Sequence, residues 1–163
     1  CSNRFVVISR RKYFTWNWEK DHHSIKFAWR CDKKVLIMDD SIVRGNTSRE
    51  IVRMLKDFGA KEVYFAVACP PVKSPCFYGV DMPTKSELIA GNMNEDEIEK
   101  YLEVDALLYQ KIDDLVEAVT RKGDHHIDTP CMACLDGNYV ANDIDEAKIA
   151  EMETMRVNDR NGN

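Results

Sequence analysis

The sequence predicts an α/β fold built on a parallel sheet, and three observations carry that prediction. Lys33–Met38 and Val63–Cys69 are short, continuous apolar runs, the pattern of parallel strands covered on both faces rather than of half-exposed ones. Between them, Ile51, Val52, Leu55 and Phe58 recur at the i, i+4, i+7 spacing of a helix with one buried stripe. The return from that helix to the second run is short, so the three elements read as a right-handed βαβ unit.

The elements follow in order. Residues 1–32 are mixed: Arg4–Ile8 has the composition of a strand, and Tyr13–His23 fits no regular pattern. Trp16, Trp18 and Trp29 are read there as cover for apolar surface. The central strand, Lys33–Met38, runs into Asp39 and Asp40 and then a Gly45-containing turn. A helix starts at Thr47, carries Arg49, Glu50, Arg53 and Lys56 on its polar side, and stops at Gly59, the residue type that best accepts the left-handed conformation after a helix. Pro70-Pro71 ends the strand Val63–Cys69. Thr84–Ala90 opens a helix with a Thr-x-x-Glu capping box, Thr84 and Glu87. Asn94 caps a further helix to Leu102, and Val104–Tyr109 is a third short strand. Ile112–Thr120 is a helix with Leu115, Val116 and Val119 turned inward. Lys122–His126 reads as an exposed polar stretch, Ile144–Val157 as a surface helix rich in Glu and Met, and residues 158–163 as a frayed tail. There is no internal repeat.

Bulk properties narrow the function classes. The chain has 163 residues, enough for one domain with a useful core. A net charge of −5 argues against nucleic acid as a partner, and no apolar run is long enough to span a bilayer. No charged-then-apolar leader is visible. The text opens at Cys1 without a Met, which is read as a fragment or a processed product. Six cysteines in an acidic α/β sequence point to a reducing cytoplasm, with thiols serving as core residues or metal ligands, rather than to a secreted disulfide scaffold.

The chemistry concentrates in Val35-Leu36-Ile37-Met38-Asp39-Asp40-Ser41-Ile42-Val43-Arg44-Gly45-Asn46-Thr47-Ser48. A buried strand delivers two carboxylates to its carboxyl end, where open α/β sheets bind ligands. The turn opens a helix whose free N–H groups and positive dipole end suit a phosphate. Adjacent carboxylates suit ribose hydroxyls or the water shell of Mg²⁺. Ordinary turn chemistry is the plain alternative for the two Asp, and a simple cap by Thr47 or Ser48 is the plain alternative for the loop. Two acids side by side repel each other where one would serve as a cap, which favours function.

This stretch resembles the phosphoribosyl-pyrophosphate (PRPP) loop of type I phosphoribosyltransferases. The downstream text narrows the resemblance to the glutamine PRPP amidotransferase family: Gly59-Ala60-Lys61-Glu62-Val63-Tyr64-Phe65-Ala66, Pro70-Pro71-Val72, and Tyr78-Gly79-Val80-Asp81-Met82-Pro83-Thr84-Lys85-Ser86-Glu87-Leu88-Ile89-Ala90. The resemblance implies a parallel-sheet type I phosphoribosyltransferase fold, truncated at its N-terminal side and ending in a helix. It divides the chain into a poorly matching segment 1–32, a phosphoribosyltransferase part 33–157 and a tail 158–163. It implies PRPP binding by Asp39, Asp40, Ser41, Arg44, Gly45, Asn46, Thr47 and Ser48, with Mg²⁺ at Asp39 and Asp40. Asn46 departs from the Thr usual in the family. No residue is assigned a catalytic role.

The implied reaction is displacement of pyrophosphate from PRPP by glutamine-derived ammonia, the first step of purine synthesis. Glutamine cleavage is expected from an N-terminal glutaminase domain outside this sequence, and the intact protein is expected to be a homo-oligomer. Cys1 is not matched to that family's glutaminase nucleophile, because Ser2-Asn3-Arg4-Phe5 does not resemble the start of those enzymes. Where the resemblance implies a basic closing loop, the sequence carries Arg10, Arg11, Lys12 and Lys20, suited to a similar electrostatic end but matching no motif of the family.

Pro75-Cys76-Phe77 and Cys131-Met132-Ala133-Cys134 resemble three ligand positions of the 4Fe-4S cluster found in one branch of the family; another branch lacks the cluster. The fourth ligand would lie outside this chain, since Cys31 and Cys69 fall at unmatched positions. A zinc site would need the same missing ligand. His22-His23 and His125-His126 resemble no ligand set. The competing readings are a PRPP-sensing regulatory module without chemistry and an inactive fragment whose first 32 residues are foreign.

Overall fold

The computed structural model describes residues 5–9, 33–78, 83–120, 129–141, 144 and 146–160. Four parallel strands form one sheet in sequence order: β1 Phe5–Ser9, β2 Lys33–Asp39, β3 Ala60–Val67 and β4 Ala106–Tyr109. Helix α1, Asn46–Asp57, joins β2 to β3. A short 3₁₀ turn at Lys85–Glu87, the single-turn α2 at Ile89–Asn92 and α3 at Glu95–Leu102 lie between β3 and β4. Beyond the sheet come α4 Ile112–Thr120, α5 Ala133–Asp136 and α6 Glu146–Arg160.

Sequential order has a consequence for layering. Each crossover steps in the same direction, so a common right-handed sense puts α1 and α3 on one face of the sheet. The two helices touch there, and the core forms beneath them. Val35 and Ile37 of β2, Val63, Phe65 and Val67 of β3, Val52 and Leu55 of α1, and Ile98 and Leu102 of α3 make one buried cluster. Full burial of each such side chain contributes on the order of 1.5–3 kcal/mol.

The other face departs from expectation. Continuous apolar strands imply cover on both sides, yet Val7, Met38 and Leu108 are 58%, 48% and 54% exposed. They lie on the face away from α1 and α3, where Met38, Ala66 and Leu108 share one register row. Among the described residues, one face of the sheet is covered and the other is open.

A smaller core lies under the loops beyond the strand ends. Val72, Leu88 and Leu135 are buried together, with Val43, Cys69, Ile112, Leu115, Met132 and Cys134 packed against them. The amides of Lys73 and Ser74 both donate to the Cys134 carbonyl, at 2.9 and 3.0 Å, which ties α5 to the chain leaving β3. Helix α6 is fastened by Arg156, which donates to the Cys76 carbonyl at 2.8 Å, and by Glu153, which accepts from the Lys85 amide.

Most expected elements appear, with shifts. The second strand is Ala60–Val67 rather than Val63–Cys69, because Ala68 and Cys69 turn to donate their amides to Asp39 and Asp40. Leu88 is extended at ψ 119, so the helix expected over Thr84–Ala90 is split into the 3₁₀ turn and α2. Val119 is 41% exposed instead of inward, and α6 continues through residues expected to fray, to Arg160. Cys1, Cys31, the three Trp, His22-His23 and Lys122–His126 lie outside the described residues.

Candidate functional site

β2 delivers its two carboxylates to different environments. Asp39 ends the strand and is 6% exposed, whereas Asp40 is exposed. The backbone at both is held to the exit of β3: Ala68 N donates to the Asp39 carbonyl at 3.0 Å and Cys69 N to the Asp40 carbonyl at 2.9 Å. Each carboxylate also accepts the next amide in the chain, Asp40 N on Asp39 Oδ1 at 3.0 Å and Ser41 N on Asp40 Oδ1 at 2.9 Å.

The turn that follows is fastened at each step. Ile42 is buried at 2% exposure and serves as its anchor. The Val43 carbonyl accepts from Ile89 N at 2.9 Å. Arg44 donates through Nε at 3.2 Å and Nη2 at 2.7 Å to a single oxygen of Glu87, 43 residues away. Gly45 sits at φ +79, and a β-carbon there would lie 2.7 Å from Ile89 Cδ1 and 3.3 Å from Tyr101 Cε1. Only glycine meets both demands, one conformational and one steric.

α1 then starts at Asn46 without a side-chain cap. Thr47 and Ser48 fall at the second and third helical positions, so neither is the plain cap that the sequence allowed. Among the described residues the first-turn amides have no side-chain acceptor, and the dipole leaves positive potential where they point. Thr47 is exposed beside them, while Ser48 is buried at 3% exposure. Asn46 accepts a hydrogen bond from Tyr101 Oη at 2.9 Å. Asp39, Asp40, Ser41 and the residues from Arg44 to Ser48 therefore border one strand-to-helix turn. That turn joins the two carboxylates at the end of β2 to a helix start that has no side-chain cap.

The supporting residues lie in the segment Thr84–Glu103, and of those that bond to the turn or brace it, sequence reasoning found only the capping pair Thr84 and Glu87. The capping-box pattern identified Glu87, whose carboxylate accepts from Thr84 N and Thr84 Oγ1, each at 2.9 Å. The Thr84 amide first, and the Arg44 guanidinium next, hold that carboxyl down at about 2. Nothing in the sequence announced that Glu87 also reaches Arg44, or that Tyr101 reaches Asn46. Arg49 lies over the Tyr101 ring at 4.6 Å and shares Glu103 with Arg53, at 3.1 and 2.7 Å.

The two implied metal groups fare differently. Mg²⁺ is held by one or two carboxylates with waters and substrate phosphates, not by a protein cage, and the pair Asp39 and Asp40 fits that demand. A 4Fe-4S cluster needs four converging thiolates. Burial, then the neighbouring Cys76 and Cys131, push the Cys134 thiol up, so these three cysteines share a neighbourhood. Yet among the described residues no three His, Cys, Asp or Glu side chains converge closely enough to hold a metal ion. Cys131 is exposed, Cys76 and Cys134 are half-buried, and all three thiols are free. As placed, the cysteines do not fit a cluster.

Comparison with known proteins supplies the family. No family model matches the sequence. The amidophosphoribosyltransferase of Methanocaldococcus jannaschii is 50% identical over 107 residues, 66% of this chain and 21% of that protein. The Escherichia coli amidophosphoribosyltransferase is 41% identical over 128 residues, 78% of this chain and 25% of its own length. Two solved structures agree. One is described as the allosteric regulatory enzyme of purine biosynthesis, with a TM-score of 0.63 at 38% identity, covering 75% of this chain and 26% of that one. The other is the glutamine PRPP amidotransferase of B. subtilis complexed with ADP and GMP, with a TM-score of 0.59 at 39% identity, covering 71% and 26%. The chain spans about a quarter or less of the curated relatives it matches, between 21% and 25% in these two. Among the described residues, no helix is long and apolar enough to cross a membrane. Over the matched residues this chain is a homologue of part of the amidophosphoribosyltransferases and has their type I phosphoribosyltransferase fold.

Proposed function

We propose that residues 33–157 form a PRPP-binding portion of a glutamine PRPP amidotransferase. What supports this reading most is the strand-to-helix turn: Asp39 ends β2, Asp40 follows it, and α1 opens at Asn46 without a side-chain cap. In this reading the amides from Gly45 to Ser48, with the Ser41 and Thr47 hydroxyls, the Asn46 side chain and the nearby charge of Arg44, take the 5′-phosphate. The Asp39 and Asp40 carboxylates take the ribose hydroxyls. Bound Mg²⁺, reached through these same carboxylates, would offset charge on the pyrophosphate.

The chain's part in catalysis is positional. Ammonia nitrogen forms a bond to C1 as the C1–oxygen bond to pyrophosphate breaks, and the electron pair leaves with the pyrophosphate. The surplus proton on nitrogen passes to solvent or to the leaving group. Positive charge grows on the ribose ring in between, and carboxylates fixed beside the sugar favour it. Orientation of the sugar phosphate by a rigid turn supplies the remainder. Glutamine is the source of ammonia in this reading, the intact protein is a homo-oligomer, and it works in the cytoplasm.

Titration calorimetry of the full chain with PRPP and Mg²⁺ tests the assignment. Binding is expected, and Asp39→Asn with Asp40→Asn is expected to weaken it by about tenfold or more, since charge-assisted contacts contribute about 1.5–3 kcal/mol each. No binding, or binding indifferent to the double substitution, removes the site. Binding without ammonia-dependent release of pyrophosphate would move the reading to a PRPP-sensing module.

A further inference from the structure

Tyr101 stands out because it touches the turn at two points and is itself held in place. Its ring edge closes on Gly45, where an added β-carbon would come within 3.3 Å of Cε1. The Arg49 guanidinium covers its face at 4.6 Å. Its body packs partly buried against the main core, from the last turn of α3. A phenol fixed on those sides has little rotational choice, and its hydroxyl falls 2.9 Å from Asn46 Oδ1.

That bond decides how Asn46 presents itself. A carboxamide has one accepting end and one donating end, and a phenol can meet either; here it donates to the oxygen. The Asn46 Nδ2 group then faces away from Tyr101, and no described residue accepts a hydrogen bond from it. Asn46 is the first residue of α1, at the end where the amides are uncapped. The reverse orientation would turn the amide oxygen toward any anion at this turn, a repulsive arrangement.

We propose that Tyr101 is a positioning residue for phosphate recognition: it holds Asn46 so that Nδ2 donates to the phosphate of a sugar phosphate bound at the turn. The proposal rests on the phosphate-binding reading above and adds a pair, Tyr101 with Asn46, that replaces the single hydroxyl a Thr would supply at this position. A Thr hydroxyl is both donor and acceptor and needs no partner to aim it. An Asn needs one.

The test is a double-mutant cycle on the full chain, read by calorimetric titration with ribose 5-phosphate. Tyr101→Phe keeps the ring, its packing on Gly45 and the Arg49 contact, and removes only the hydroxyl, so a melting temperature close to wild type is expected. Affinity is expected to fall about fivefold, the usual weight of one hydrogen bond. The same Tyr101→Phe change is expected to have no effect in an Asn46→Ala or an Asn46→Thr background, because neither side chain depends on the phenol. A merely structural role for Tyr101 predicts the opposite, an equal loss in every background, and that result overturns the proposal. An affinity for Tyr101→Phe within twofold of wild type overturns it as well. Failure of the wild-type chain to bind ribose 5-phosphate removes the phosphate-loop reading and this inference together. Binding by wild type with an uncoupled Tyr101 removes the inference alone.

Discussion

The turn between β2 and α1 and the cysteine segments were both read from the sequence as candidate sites, and the structure treats them differently. The turn between β2 and α1 is constrained at successive residues: Ile42 is buried, Val43 is bonded to Ile89, Arg44 to Glu87 and Asn46 to Tyr101. The cysteine segments are fastened mainly through backbone, by Lys73 and Ser74 on the Cys134 carbonyl and Arg156 on the Cys76 carbonyl. Their thiols share a neighbourhood without meeting. The difference lies in what each site is made of. An anion site built from backbone amides is complete once the local chain turns correctly, and one clamp is enough to hold it. A thiolate site needs side chains from separate segments to converge, and a C-x-x-C pair settles only two of them.

The largest effect is expected where the turn is most constrained. Gly45→Ala meets a backbone penalty of about 1–2 kcal/mol for the left-handed conformation. It also meets Ile89 Cδ1 at 2.7 Å, so the clamp must shift. Gly59 is the control, because its φ is +89 but an added β-carbon has nothing within 4 Å. Gly59→Ala should therefore show the backbone penalty alone in urea denaturation and leave ribose 5-phosphate binding as it was. Gly45→Ala should lose more stability and at least tenfold in affinity, about 1.4 kcal/mol. Equal losses in the two variants would mean that the turn is not clamped.

A second contrast concerns the thiols. Cys131 is exposed, while burial first of all pushes the Cys69 and Cys134 thiols up. Thiolate is the reactive form, so a disulfide reagent at pH 8 should modify Cys131 about tenfold or more faster than either partner. Modification at Cys131 should leave ribose 5-phosphate affinity unchanged. Uniform reaction rates, or protection of all three of Cys76, Cys131 and Cys134 at once, would indicate convergence that the placement of these residues does not support.

Much of this contrast was legible in the sequence, and the part that was not has a common cause. β2, α1, α3 and the two carboxylates followed from apolar runs, helical spacing and the Asn94 cap, all local signals. The break at Leu88 was invisible, because the capping box at Thr84 and Glu87 predicts a helix start and says nothing about its continuation. The clamps were invisible too. Arg44 with Glu87 and Asn46 with Tyr101 join residues 43 and 55 positions apart, and no periodicity encodes such a pair. The open sheet face was misjudged for a related reason. Met38 read as buried because an apolar run reports what a strand can bury, not what lies against it.

The smallest effect sharpens the role of the Arg44–Glu87 clamp. The Glu87 carboxyl is lowered from 4.5 to about 2, by the Thr84 amide first and by Arg44 next. A depressed folded-state value means that its contribution is fully present above the unfolded value and is lost as pH falls through 4.5 toward 2. Both partners are substantially exposed, at 48% and 35%, so solvent screening limits the contribution at neutral pH to about 1 kcal/mol or less. Glu87→Gln retains an oxygen for the Thr84 amide and removes the charge that Arg44 holds. The stability difference between wild type and this variant should be greatest near pH 7 and should shrink steadily below about pH 4.5. Taking the difference matters, since Glu103 is also held low, by Arg53 and Arg49, and its loss in acid is common to both proteins. A difference that stays constant from pH 7 to pH 3 would mean that the charge on Glu87 does not hold the turn, and that Val43, Gly45 and Tyr101 hold it alone.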